Sequence, residues 1–207
     1  PASWSGLSLA VGLAVAQALQ PEAGAADAAD AADSAEGPRL GLKWPNDLWL
    51  VDARPGRGRK LGGILIESVA LPHEVGQGSR VSAARIVVVG IGLNVEPLPS
   101  GIDAAGLATG YACTREIAPT LDAAAVLEAV AEPLVQALLA FEHAGFAPLR
   151  PRYAARDVMR DAPVQAGAAG VSGGSDVSGV AVPLRGIARG VDEDGALLLE
   201  TPAGLQR

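Results

Sequence analysis

Apolar residues alternate along Arg85–Val95 in the rhythm of a β-strand. Val87, Val89, Ile91, Leu93 and Val95 fall on one face, and that continuous apolar face must pack on helices. Val88, Gly90, Gly92 and Asn94 fall on the other. Two missing side chains leave an open trough with an amide at its end, so a flat ligand can lie directly on this backbone. Glycines that ease sheet curvature or make a bulge account for the same pattern. Lys60–Val69, rich in Ile, Leu and Val, is the second clear strand.

The remaining segments extend the picture. Ser5–Gln20 is apolar on most faces and predicts a buried helix, with Ser5 placed to cap it. Leu40–Trp44 and Leu48–Val51 read as strands joined by a Pro45-Asn46-Asp47 turn; proline holds the preceding residue extended, and Asn and Asp favour turns. Ala53–Arg59 reads as a polar basic loop, Pro72–Ser82 as a hairpin loop and Glu96–Ala118 as a long irregular loop. Leu121–His143 predicts a helix with Ala125, Val126, Leu127, Val130, Leu134, Leu138 and Leu139 as its apolar face and Pro133 as a point of kinking. Arg150–Arg160 predicts a short basic helix with Tyr153 and Met159 turned inward. Gly167–Gly179 reads as a loop, while Leu184–Val191 and Ala196–Glu200 flank the hairpin signal Asp192-Glu193-Asp194-Gly195. The change of character near Ala162 divides the chain into a unit at 1–160 and a small β-barrel, or part of one, at 162–207.

Composition narrows the class. With 49% hydrophobic and 19% charged residues, the 207-residue chain fits a soluble globular protein. No uninterrupted apolar run reaches the eighteen or so residues of a membrane span, and no basic residue precedes Leu7–Leu19 as a secretory signal requires. Net charge is −7, but Glu22, Asp27, Asp30, Asp33 and Glu36 all lie in the Ala/Asp-rich segment 21–38, which reads as a flexible insert. The rest is nearly neutral, and no basic stripe argues for nucleic acid. The single cysteine, Cys113, excludes an intrachain disulfide and suits a reducing compartment, hence a cytoplasmic location. Two histidines with no cysteine nearby argue against zinc.

Three segments carry candidate chemistry: Lys43-Trp44-Pro45-Asn46-Asp47, Lys60-Leu61-Gly62-Gly63-Ile64-Leu65-Ile66-Glu67 and Gly90-Ile91-Gly92-Leu93-Asn94. Each sets a charge or an amide beside backbone with little side-chain cover. Lys60 can reach over the bared surface to an anion, or it is a solvated lysine at a strand end. Asn46 and Asp47 either meet a ligand or satisfy their own turn. Arg54, Arg57 and Arg59 read as a solvated loop, since no Gly-Lys-Ser/Thr follows to make a P-loop. Gly90-Ile91-Gly92 is not a dinucleotide fingerprint, because Val95 stands where the third glycine belongs.

With these three blocks in this order, the chain resembles the catalytic domain of biotin protein ligases, most strongly over residues 40–96. The resemblance implies an α+β fold: a mixed sheet flanked by helices, as a class II synthetase-like ligase core, followed by part of an SH3-like β-barrel. It implies ATP-dependent attachment of biotin to a lysine of a biotin carboxyl carrier protein through biotinyl-5′-AMP, with Mg2+ accompanying ATP. It assigns Lys60 as the catalytic cation. Lys60, Gly62, Gly63, Gly90 and Gly92 would bind biotin; Asn46, Asp47 and Asn94 would lie near the adenylate. A homodimer stays open, and no membrane or nucleic-acid partner is expected. The family's Ser-Thr-Asn segment and its Gly-Arg-Gly-Arg loop have no counterpart before Ser5, and the family barrel continues past a position like Leu205. The expectation is therefore a ligase core shortened at both ends, without measurable ligase activity as it stands. A lipoate or octanoate ligase or transferase shares the fold and a similar lysine, and a non-catalytic remnant or binding module is the remaining alternative.

Overall fold

The structure, a computed structural model, describes residues 4–21, 37–52, 58–70, 85–166 and 184–207. The expected acidic insert at 21–38 and basic loop at 53–59 lie mostly outside these residues, and the hairpin loop at 72–82 and the glycine-rich loop at 167–179 wholly so.

Helix α1 (Leu7–Leu19) is the centre of the molecule. Leu7, Leu9, Val11, Leu13, Val15 and Ala16 are all buried, on every side of the helix, as an all-round apolar sequence requires. It does not begin on a Ser5 cap. Gly6 holds the cap position at φ 78 with no side-chain bond. A Cβ there would stand 2.7 Å from the Phe146 side chain, so close packing and left-handed backbone both demand glycine. Gly12 lets the helix settle onto the sheet: a Cβ would lie 3.2 Å from Ile64 and Leu42.

The sheet under α1 has the order β1 (Arg39–Lys43), β2 (Asp47–Val51), β3 (Gly58–Ala70), β4 (Arg85–Leu93), with antiparallel pairing throughout. This corrects the expectation of a mixed sheet. Successive strands that fold straight back on one another can only pair antiparallel, and the parallel contact found among the described residues is the isolated bridge Leu42–Asp157. Leu40, Leu42, Leu48, Leu50, Leu61 and Ile64 fill the inner face. The expected apolar face of β4 (Val87, Val89, Ile91 and Leu93) packs against the same core.

Helix α2 (Ala123–Ala144) lies across α1, capped by Asp122, whose Oδ1 accepts from the Ala125 amide at 2.8 Å. A helix resting on one neighbour buries only a stripe, here Val126, Val130 and Phe141 with Leu134 and Leu138 beside them. Leu127 and Leu139, assigned to the apolar face from sequence, are 70% and 56% exposed. Helix α2 is 22 residues long and an 18-residue window of it has a mean hydropathy of 1.6, long and apolar enough by composition to cross a membrane although polar residues interrupt its apolar run. The same composition suits a helix laid on a core, and α2 buries its stripe there.

Helix α3 (Arg150–Arg156) buries Tyr153, which meets Phe146 edge-on at 5.9 Å, while Met159 is half-buried beyond it. The chain then enters a second antiparallel sheet, β5 (Pro163–Ala166), β6 (Leu184–Val191), β7 (Leu197–Thr201) and β8 (Gly204–Gln206). The hairpin expected around Asp192–Gly195 is its β6–β7 connection. That turn docks on the first unit: the Trp44 indole Nε1 donates to the Gly195 carbonyl at 3.0 Å.

Candidate functional site

The site is built on a defect in the β2–β3 ladder. Trp49 pairs with Lys60 and Leu48 with Gly62, so Leu61 is the extra residue of a bulge. A bulge breaks strand alternation and re-aims the side chains beside it. Leu61 turns fully into the core, and Lys60 comes to the outer face, its amine 3.4 Å from where a Gly63 Cβ would stand.

On that face the Lys60 Nζ meets Asp47 Oδ1 at 2.6 Å. The lysine side chain is 37% exposed and the aspartate 16%. A pair this open adds at most about 1 kcal/mol to stability, so what it supplies is orientation. The glycines around it do two different things. Gly62 is forced by packing, since a Cβ would fall 2.4 Å from the Gly92 carbonyl oxygen. Gly63 and Gly92, paired across β3 and β4, leave the floor bare, and Gly90, paired with Leu65, extends it one step along the sheet. A Cβ at Gly90 or Gly92 would meet nothing closer than 3.6 Å.

The wall of the site comes from the segment after β4. Lys60 is gripped through its backbone: its amide donates to Thr109 at 3.1 Å and its carbonyl accepts from Ala112 at 2.9 Å. Residues Leu107–Tyr111 thereby stand over Lys60, Gly62, Gly63 and Gly92, and together with Leu93 and Asn94 they enclose a cleft of about 520 Å³. Burial, with Cys113 and then Glu96 and Glu116 adding to it, pushes the Tyr111 phenol above its ordinary pKa, and its hydroxyl donates to the Glu96 backbone carbonyl at 2.7 Å.

The residues singled out from sequence fall in three places. Lys60, Gly62, Gly63, Gly92 and Asn94 line the cleft. Gly90 lies beyond it on the same face. Asn46 lies behind it, and Asp47 stands at its edge, its Oδ1 3.4 Å from where a Gly63 Cβ would be and bonded to Lys60. Both asparagine amides serve the backbone: Asn46 Nδ2 donates to Ile64 at 2.7 Å, and Asn94 Nδ2 donates to Ala112 at 3.0 Å and Lys60 at 3.3 Å. They hold the frame of the site. Arg59 corrects its sequence reading. It belongs to β3, not to a solvated loop, and its guanidinium bonds Glu116, Asp52 and the Tyr111 carbonyl. The wall residues Leu107–Tyr111 were missed altogether; Gly110 beside an aromatic was the one signal in an otherwise featureless stretch.

Known proteins resemble this chain in sequence and in fold. Residues 180–207 match the family described as biotin protein ligase C terminal domain. Over 200 residues the chain is 30% identical to the bifunctional ligase/repressor BirA of Salmonella typhimurium, covering 97% of this chain and 50% of that protein. It is 32% identical over 169 residues to the biotin–[acetyl-CoA-carboxylase] ligase of Paracoccus denitrificans, covering 81% of this chain and 60% of the relative. Over nearly its whole length the chain is similar to biotin protein ligases. Like these ligases in fold, it superposes on the apo biotin protein ligase of Aquifex aeolicus with a TM-score of 0.63 at 21% identity, covering 97% of this chain and 69% of that one. The same Aquifex ligase in complex with biotin and ATP gives 0.62, covering 97% and 66%. The chain spans about half the length of the curated ligases it matches. Within the ligase family's C-terminal domain fall β6, β7 and β8 of the second sheet.

Proposed function

We propose that this chain carries the adenylating site of an ATP-dependent biotin ligase. The carboxylate of biotin attacks the α-phosphate of ATP, releasing pyrophosphate and leaving biotinyl-5′-AMP. A lysine of a biotin carrier protein then attacks the acyl carbon, and AMP departs. The observation that carries the reading is the Lys60 amine standing at the edge of a glycine-floored cleft. The first step brings two anions together, and a cation fixed at their junction offsets the repulsion. At about 4 Å, one such charge pair is worth roughly 4 kcal/mol with an effective dielectric near 20.

In this reading biotin's flat ring system rests on Gly62, Gly63, Gly90 and Gly92, and the adenylate extends toward Asn94 and the wall. Asp47 keeps Lys60 extended over the floor until a ligand anion competes for it. Magnesium enters with the nucleotide, which suits a donor set without three clustered ligands among the described residues. Asp47, the carboxylate beside Lys60, would be the protein group to meet it. An Aquifex relative that holds biotin and ATP lends support. The first sheet with its helices, within residues 1–160, would be the synthetase-like core, and 162–207 the small barrel. A cytoplasmic location and a homodimer fit the same reading.

Calorimetric titration tests it. The chain is expected to bind biotin in preference to lipoate, and Lys60→Ala is expected to weaken ATP binding about tenfold. Preference for lipoate would move the chain to the neighbouring ligase class. Binding of neither acid would overturn the reading.

A further inference from the structure

We infer that Arg59 is a positioning residue for this site: its guanidinium clasps the cleft wall onto β3 and so sets the affinity for the nucleotide. The inference rests on the function proposed above. Three features converge on this one planar group. Its Nη1 donates to the Tyr111 carbonyl at 3.0 Å, within the wall itself. It forms a two-pronged pair with Glu116, Nη1 to Oε1 at 3.0 Å and Nη2 to Oε2 at 2.7 Å. Glu116 Oε1 in turn accepts from the Cys113 amide at 3.0 Å, just past the wall. The far end is moored by Asp52, the residue that follows β2, at 3.3 Å.

The stem of the arginine matters as much as its head. Gly110 adopts φ 63 and lies on the Arg59 side chain so closely that a Cβ would come within 2.9 Å of its Cγ. The wall is thus pressed on Arg59 from below and tied to it from above. The next residue along β3 is Lys60, whose amide and carbonyl bond Thr109 and Ala112 of the same segment. The Lys60–Asp47 pair, by contrast, involves no wall residue. Loss of the clasp should therefore loosen the wall and spare the ion pair. A ligand half lying on the glycine floor should feel this little; the half lying against Leu107–Tyr111 should feel it strongly.

Arginine is required by geometry. A planar fork serves two carboxylates and a carbonyl at once; an ammonium on a flexible stem holds the charge but not the three directions. Arg59→Lys should therefore fall between the unsubstituted chain and Arg59→Gln.

The test is titration with ATP and, separately, with biotin, on the chain and on Arg59→Lys, Arg59→Gln and Glu116→Gln. Amide exchange is followed at Ala112 and Thr114. ATP affinity should drop about tenfold in Arg59→Gln and Glu116→Gln, and less in Arg59→Lys, with biotin affinity within about twofold throughout. Exchange at both amides should quicken. If the variants bind ATP as the unsubstituted chain does, or if biotin affinity falls in parallel with ATP, the clasp is overturned and the proposed function stands. If the unsubstituted chain binds neither ligand, the proposed function falls and takes this inference with it. Arg59→Lys and Glu116→Gln keep the comparison open should Arg59→Gln not fold.

Discussion

The inner face of the first sheet is six buried aliphatic side chains: Leu40, Leu42, Leu48, Leu50, Leu61 and Ile64. The outer face of the same strands, one residue out of phase, offers Lys60, Asp47, Gly63, Gly90 and Gly92. Burying one leucine contributes about 2 kcal/mol, whereas the half-open Lys60–Asp47 pair contributes about 1 kcal/mol at most. Stability is therefore concentrated on one face and chemistry on the other. Leu61 and Lys60, adjacent in sequence, sit on opposite sides of that division as strand alternation requires, and the bulge opposite Leu48 and Trp49 is what brings Lys60 onto the same face as Gly63.

The sharpest way to break the comparison is Leu61→Ala. Truncating a fully buried leucine should cost about 3 kcal/mol in urea unfolding, and removing the bulge residue's anchor should also impair ATP binding. A variant of full stability would show that the inner face does not carry the fold. Gly62→Ala should come next, at about 2 kcal/mol, because its methyl would be driven into the Gly92 carbonyl. Gly92→Ala should shift unfolding by no more than about 0.5 kcal/mol, since its methyl would meet nothing closer than the Gly63 carbonyl oxygen at 3.9 Å, while weakening biotin binding measurably. If those two glycines prove equally costly to stability, the distinction between a packed glycine and a bare floor is lost.

The smallest expected effect serves as a control away from both faces. Burial pushes the Asp157 carboxyl above its ordinary range, opposed by a hydrogen bond from the Met159 amide. A raised folded-state value means the carboxylate form is disfavoured in the fold, so this group's contribution is fullest below its unfolded value near about pH 4 and is lost as pH rises through the folded value. Asp157→Asn should therefore raise the melting temperature slightly at pH 7 and leave it unchanged near about pH 3. A fall at pH 7 would mean that the carboxylate is stabilised by its surroundings.

What could be read from the sequence follows from how local its causes are. Strand alternation in Arg85–Val95 put Val87 and Gly90 on opposite faces correctly, because period two is a property of the backbone. The all-round apolarity of α1 likewise announced its burial. The bulge at Leu61 was invisible, since it depends on which β2 residues stand opposite. So was the true helix start, where Phe146, from 140 residues along the chain, excludes a side chain at Gly6. The exposure of Leu127 and Leu139 depends on how far α1 covers α2, which the helical wheel alone does not contain. Arg59 was misread for the same reason: its partners Tyr111 and Glu116 are more than 50 residues distant. The glycine blocks, by contrast, showed where side chains were missing before anything showed what stood over them.

Trp44 lies between the Lys43 end of β1 and the corner that delivers Asp47, and its indole nitrogen is bonded to the hairpin of the second sheet. An indole tethered in this way is a built-in optical gauge. Were the two sheets to part, its emission would redden and brighten or dim with the new solvent contact. The Lys43–Asp47 segment thus carries a reporter of whether the C-terminal sheet is seated, read once the emission of Trp4 and Trp49 is removed by substitution.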